Sequence, residues 1–216
     1  MSTATKFPTT LTERIELGAG EVRLPASWEE YTELLEDCEF QVEYEDKHVI
    51  FKDFATHTHE VIIANILAKA CQILKDHPDL IALGSNRHVY LEEFEADYSP
   101  DASVLKGNPV EYELRKGLTA YTNPHIIFEV LSPSTARNDW NTKLPRYKKN
   151  PSLRQIVYVQ QTHPFVSVFD RIGNSDRWEN ADYDRLEQFF LVEGQPVKLE
   201  DLYRKVVFTG EETSDE

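Results

Sequence analysis

Only two cysteines, Cys38 and Cys71, occur in the 216 residues, and neither stands in a Cys-x-x-Cys pair or at zinc-ligand spacing from a histidine. A disulfide framework and a cysteine-based zinc site are thereby excluded, and two reduced, buried thiols are expected. No run approaches the ~18 consecutive apolar residues of a membrane-spanning helix, and no basic segment followed by an apolar one opens the chain. A cytoplasmic protein with no membrane partner is expected. Cations are scarce as well: 23 Lys and Arg face 38 Asp and Glu, a formal charge of −15. Phosphates are repelled at long range, so any nucleic-acid chemistry needs bound divalent cations or a local basic surface.

What the chain does have is an ordinary share of apolar residues, 40%, enough for one buried core in a length too short for two large domains. One folded domain is expected over 25–208, preceded by an extension at 1–24, whose first ten residues read as loose, and followed by an acidic tail at 209–216. Ser27 with Glu30 three residues on is the pattern that satisfies two free amides reciprocally. Tyr31, Leu34 and Leu35 follow as an apolar stripe, which predicts a helix over 28–37. Phe40 to Phe51 reads as a β-hairpin turning at Glu45-Asp46-Lys47, with Glu43 on its first strand. No Pro or Gly interrupts 58–75, where Val61, Ile62, Ile66, Ala68, Ile73 and Leu74 recur at helical spacing, the pattern of a long central helix. Strands are expected at 81–92 and 102–105 around an acidic loop at 92–97. His125 to Leu131 is a nearly continuous apolar run, as in a strand covered on both faces, broken by one carboxylate, Glu129. A helix over about 138–149, strands at 155–160, 165–169 and 186–192 and a short helix at 199–206 complete an α/β domain, a mixed β-sheet flanked by helices.

An ionised carboxylate inside an apolar strand is costly unless it is paired or binds a cation, because burial strips its hydration. Glu129 is one such group, and Asp101, entering a strand after Ser99-Pro100, is a second. On neighbouring strands the two can converge on a hard divalent cation, Mg2+ or Mn2+. Equally, Glu129 can pair with an Arg or Lys of the following helix, and Pro-Asp is common in turns. Spacing alone leaves both readings open.

The chain resembles a large bacterial family described as putative restriction endonucleases, a branch of the PD-(D/E)xK nuclease superfamily, over roughly 27–205. The resemblance rests on Val42-Glu43-Tyr44, His59, Gly84-Ser85, Ser99-Pro100-Asp101-Ala102-Ser103-Val104, Phe128-Glu129-Val130-Leu131-Ser132-Pro133-Ser134, and Asp139-Trp140-Asn141-Thr142-Lys143 running into Arg146-Tyr147. It implies a restriction endonuclease-like core, a homodimer, and a metal held by Asp101, Glu129 and the backbone carbonyl of Val130. The superfamily's usual lysine, two residues after the Glu, is replaced here by Leu131. Resemblance therefore implies that the lysine has migrated to Lys143, placed to stabilise the attacking water or the developing phosphorane charge; alternatively Lys143 caps a surface carboxylate. Glu43 resembles the extra acidic residue that joins such sites, or is a solvated hairpin carboxylate. His59 and Tyr147 match family positions and are candidates for orienting substrate. Each has a plainer reading: a cap with a depressed proton affinity for His59, core packing for Tyr147. Arg87-His88 departs from the arginine pattern after Gly-Ser and receives no role.

Lys143, Arg146, Lys148, Lys149 and Arg154 are the main basic concentration, next to the expected metal site. They read as a DNA backbone-binding surface, with Arg146 a substrate contact, or as a solvated helix face. The leading expectation is thus a Mg2+-dependent endonuclease hydrolysing DNA phosphodiester bonds. Its rivals are a catalytically inactive nuclease-fold protein with a binding or regulatory role, which the −15 charge favours, and a hydrolase of a small phosphorylated substrate.

Overall fold

Thr10 and Ser27 each open a helix with a capping box, their hydroxyls accepting from the third helical N–H while Glu13 and Glu30 reach back. In the computed structural model, which describes residues 7–208, these helices are α1 (Leu11–Glu16) and α2 (Trp28–Asp37), with strand β1 (Val22–Pro25) between them. The hairpin follows as β2 (Val42–Glu45) and β3 (His48–Phe51), then the long helix α3 (His57–Leu74). Next come β4 (Leu80–Gly84), β5 (Val89–Leu91), β6 (Ala96–Tyr98), β7 (Ala102–Lys106), β8 (Glu111–Arg115), β9 (Leu118–Tyr121) and β10 (Pro124–Leu131). A helical stretch runs through α4 (Ala136–Asn138), a π turn (Asp139–Lys143) and α5 (Leu144–Lys149). The chain continues with β11 (Gln155–Gln160), β12 (Val166–Arg171), β13 (Trp178–Tyr183), β14 (Phe189–Val192), β15 (Gln195–Lys198) and α6 (Leu199–Leu202).

Among the described residues the strands form a six-stranded mixed sheet in the order β13-β12-β11-β10-β7-β4, a seven-stranded sheet β1-β3-β2-β6-β5-β9-β8, and the β14-β15 hairpin. The expected α/β core with a mixed sheet flanked by helices is present. Strand β10 is an inner strand, parallel to β11 on one side and antiparallel to β7 on the other. Its side chains alternate between two cores. Ile126, Phe128 and Val130 pack with Ile62, Ile63, Ile66 and Leu74 of α3. Ile127 and Leu131 pack with Leu144, Tyr147, Ile156 and Tyr158 on the opposite face. Each such side chain contributes roughly 1.5–3 kcal/mol of burial.

Several expectations are corrected. The strand expected at 81–92 is two strands in different sheets, β4 and β5, because Ser85, Asn86 and Arg87 turn the chain between them. The acidic loop at 92–97 is a short 3-10 turn followed by β6, whose Asp97 is fully buried and accepts from Tyr31 Oη at 2.5 Å. The β8-β9 hairpin and strand β13 were not anticipated, both being largely polar at their exposed positions. Cys71 is exposed on the outer side of α3, and Cys38 only partly covered. Of the apolar residues expected at helical spacing on the long helix, Val61 and Ile73 are only half-buried and Ala68 is exposed, while Ile63, which was not among them, is buried. Residues 7–10, expected to be loose, take part in the fold: Phe7 is buried in a core cluster and Thr10 caps α1. Residues 1–6 and the acidic tail 209–216 lie outside the described residues.

Candidate active site

The register of β7 against β10 pairs Ala102 with Phe128, so the next step brings Asp101 opposite Glu129. One hydrogen bond ties the two positions together: the Val130 N–H donates to Asp101 Oδ2 at 2.6 Å. Glu129 points to the face that carries α5, where Tyr147 donates its hydroxyl to Glu129 Oε1 at 2.8 Å. His59, in the first turn of α3, brings Nε2 to 3.4 Å from Asp101 Oδ2. Both carboxylates line the wall of a cleft of about 500 Å3 that also includes Lys52, Phe54, His59 and Asp139.

Behind this wall is a buried charge cluster. Lys143 Nζ lies 2.8 Å from Glu43 Oε2, 3.5 Å from Asp139 Oδ1 and 3.8 Å from Glu129 Oε1. The π turn places Asp139 and Lys143 on one side of the helix, and Glu43 arrives from β2. Glu43 also accepts from the Ser99 N–H at 2.9 Å and from Lys52 Nζ at 3.4 Å. Asp101, Ser99, Glu43 and the helix are thus held as one unit.

The environment drives these groups apart in proton affinity. Burial pushes Glu129 up to about 8, against the Lys143 ammonium and with the help of neighbouring Asp101. Burial also works against the charge of Glu43, yet the ammoniums of Lys143 and Lys52 prevail and lower it to about 2. Asp101 is lowered despite burial, by the His59 hydrogen bond and the Lys52 charge. Lys143 and Lys52 are raised, burial being outweighed by the carboxylates around them. His59, expected to have a depressed proton affinity, is instead raised, because Asp101 outweighs its burial.

Two carboxylates on one wall, one of them short of a compensating charge, are a donor set that suits a hard divalent cation. Among the described residues no three His, Cys, Asp or Glu side chains gather as a metal cage. A cation held by Asp101, Glu129 and the Val130 carbonyl would take its remaining ligands from water and substrate, as Mg2+ sites do.

Residues 28–204 match the family model Uma2, described as "Putative restriction endonuclease". The chain belongs to this family. Similar curated proteins include the uncharacterized protein slr1290 of Synechocystis sp., 27% identical over 183 residues, which span 83% of this chain and 92% of that one. A second Synechocystis protein, sll1609, is 30% identical over 90 residues, 42% of this chain and 50% of its own. The fold is similar to a crystal structure described as a putative nuclease belonging to DUF820 from Anabaena variabilis, at TM-score 0.65 and 17% identity, covering 83% of this chain and 98% of that one.

Within this Uma2 frame the candidates separate by position. Asp101, Glu129, Val130 and His59 face the cleft. Glu43, Lys143 and Tyr147 are buried behind it and touch Glu129 or one another. Lys143 is therefore enclosed rather than a cap on the surface. Arg146 is outside the cleft: it donates to Tyr98 Oη at 2.9 Å, to Glu45 at 3.2 Å and to both Asp46 oxygens at 2.7 Å. The rest of the basic run is also engaged in part, Lys148 over the Phe169 ring at 4.1 Å and Arg154 on the Pro151 and Leu153 carbonyls. Sequence reasoning missed Lys52, which follows a strand with no motif around it, and gave Asp139 no role although it stood in the quoted Asp-to-Lys stretch.

The Glu43 shift fixes a pH dependence. Its folded pKa is depressed, so the stability it contributes is present above its ordinary value of 4.5 and is lost as pH falls toward about 2. The contribution is on the order of 3 kcal/mol. Acid unfolding followed by circular dichroism should show wild type losing this increment below pH 4.5, and Glu43→Gln should lack it. Identical acid limbs for the two proteins would show that the carboxylate is not held in its charged form.

Proposed function

We propose that this chain is a divalent-metal-dependent endonuclease that hydrolyses DNA phosphodiester bonds, with Mg2+ or Mn2+ carried by Asp101 and Glu129. The observation that supports it most directly is the Val130 N–H bond to Asp101, which gathers two buried carboxylates at one cleft wall. A bound divalent cation supplies polarisation of a phosphoryl oxygen and acidification of water. The chain's own residues do the rest. Tyr147 donates to Glu129 Oε1 and the Lys143 ammonium stands 3.8 Å from it, which restrains the carboxylate from behind. His59 Nε2 stands 3.4 Å from Asp101 Oδ2 at the cleft, where it can orient substrate or water. Glu43 balances Lys143 and Lys52 and holds the strand entrance through the Ser99 N–H. A homodimer in solution, readable by sizing with light scattering, would present two such clefts.

The test is cleavage of plasmid and single-stranded DNA with Mg2+ and Mn2+ by wild type and Asp101→Ala. Losing a metal worth several kcal/mol of charge stabilisation should lower turnover by roughly 10³-fold or more. Calorimetry should show Mn2+ binding in wild type and none in the variant. Equal cleavage by both proteins would reject the assignment.

A second reading, a nuclease-fold protein that binds or regulates without catalysis, is favoured by two observations. The net charge is −15, and Lys143 and Arg146 of the basic run are spent on internal carboxylates. Under that reading Mn2+ binds but no phosphodiester is cleaved.

A further inference from the structure

Arg14, on α1, is 1% exposed and uses its guanidinium on backbone carbonyls. Its Nη1 donates to Gly18 O at 2.9 Å, its Nη2 to Gly20 O at 2.8 Å, and Nε and Nη2 together clamp Lys52 O at 3.0 and 2.7 Å. Gly18 and Gly20 turn the chain with φ of +88° and +91°, a conformation that aims both carbonyls at one cation. Four of the five N–H donors of the guanidinium are spent on backbone carbonyls in this way, leaving one on Nη1. What Arg14 does is fix the backbone of Lys52, one residue past the end of β3.

The two lysines near the carboxylates differ in where their ammoniums can reach. Lys143 is 3% exposed, is enclosed by Glu43, Asp139 and Glu129, and is not part of the cleft wall. Lys52 lines the cleft with its side chain 21% exposed. Its contacts on the protein side are long, 3.4 Å to Glu43 Oε1 and 3.3 Å to Ser99 O. An ammonium carries three donors, so at least one is left to turn toward the cleft. Arg14 also lines the cleft, but four of its five N–H donors are taken by backbone carbonyls, which fixes it as a brace.

We propose that Lys52 is a catalytic residue that contacts a non-bridging oxygen of the scissile phosphate, and that Arg14 is the positioning residue that holds it there. This rests on the nuclease reading above. In the step, a water oxygen donates a lone pair to phosphorus and the bond from phosphorus to the leaving oxygen breaks. The bonding pair stays on that oxygen, which takes a proton from solvent, and the attacking water gives one up to solvent, so that protons balance. Lys52 remains protonated throughout and contributes charge where the phosphoryl oxygens become most negative. Leu131, where the usual lysine of such sites would stand, is buried and apolar. Lys52 reaches the cleft from β3 instead.

The test uses Lys52→Ala in the full chain, with turnover of a single-stranded oligonucleotide in Mn2+ read beside Mn2+ affinity by calorimetry. Turnover should fall on the order of 10²-fold, as for loss of one preorganised donor. Mn2+ affinity should stay equal or tighten, because an ammonium beside two carboxylates repels a second cation. Wild-type turnover in the variant would overturn the proposal, and so would turnover and Mn2+ affinity falling together, the mark of a residue that only keeps the site's shape. Arg14→Gln should lower turnover in wild type and add little in the Lys52→Ala background, with melting curves checking the fold. Equal losses in both backgrounds would remove Arg14 from the proposal. Wild type that cleaves no DNA rejects the nuclease reading and this one with it; wild-type cleavage that survives Lys52→Ala rejects only this one.

Discussion

Ile127→Asp should be unfolded at neutral pH. Ile127 is fully buried in the middle of an inner strand and packs in the cluster built from Leu131, Leu144, Tyr147, Leu153, Ile156 and Tyr158. Removing the aliphatic side chain costs about 2–5 kcal/mol. An unpaired carboxylate in its place adds several kcal/mol more, since the buried cation of this face, Lys143, is already committed to Glu43, Glu129 and Asp139. Together these match the ~5–15 kcal/mol that holds a domain folded. Far-UV circular dichroism and a urea titration read the outcome. A variant that melts with wild type would mean that this strand is not covered on both faces.

Lys143→Ala comes second in size. The deletion leaves Glu43, Glu129 and Asp139, each nearly inaccessible, without their shared cation. Breaking a buried ion pair from one side costs about 3–5 kcal/mol, and at 2–4 °C per kcal/mol for a domain of this size the melting temperature should fall by roughly 6–20 °C. The loss should shrink as pH is lowered, because Glu129 and Asp139 are already pushed up by burial and take protons readily. Lys143→Met, close in volume but uncharged, should behave alike. A melting temperature unchanged at neutral pH would mean that solvent reaches the carboxylates. Any effect of Lys143 on hydrolysis thus comes with a loss of stability, whereas Lys52, at the cleft surface, is expected to separate the two.

Both outcomes draw on strand 124–131, the element most legible in the sequence, because an unbroken apolar run with one carboxylate is a pattern few other structures produce. Capping made α2 legible to the residue, and the hairpin turn at Asp46-Lys47, with φ of 50° and 60°, was marked by its polar residues. Strands that carry polar residues on an exposed face, such as β13 and β8, gave no comparable signal. The site was legible where residues lie close to a motif, as Asp101, Glu129 and Lys143 do. Lys52, Arg14 and the Asp97 carboxylate were not, because what defines them is contact across the sequence: Arg14 to Lys52 carbonyl, Tyr31 to Asp97. Periodicity carries no information about such pairs.

The π turn at Asp139–Lys143 makes this part of the chain sensitive to its length as well as its composition. Each residue of an α-helix advances the facing direction by about 100°, and the wider turn holds one residue more than an α turn would. Deleting a single position there, such as exposed Asn141, would let the helix close to ordinary pitch with Leu144 and Tyr147 still facing the core and Glu129, whereas inserting one would swing them away. The stretch is therefore permissive to substitution on its outer side and to loss of one residue, and intolerant of insertion, a constraint on how this region of the chain can diverge.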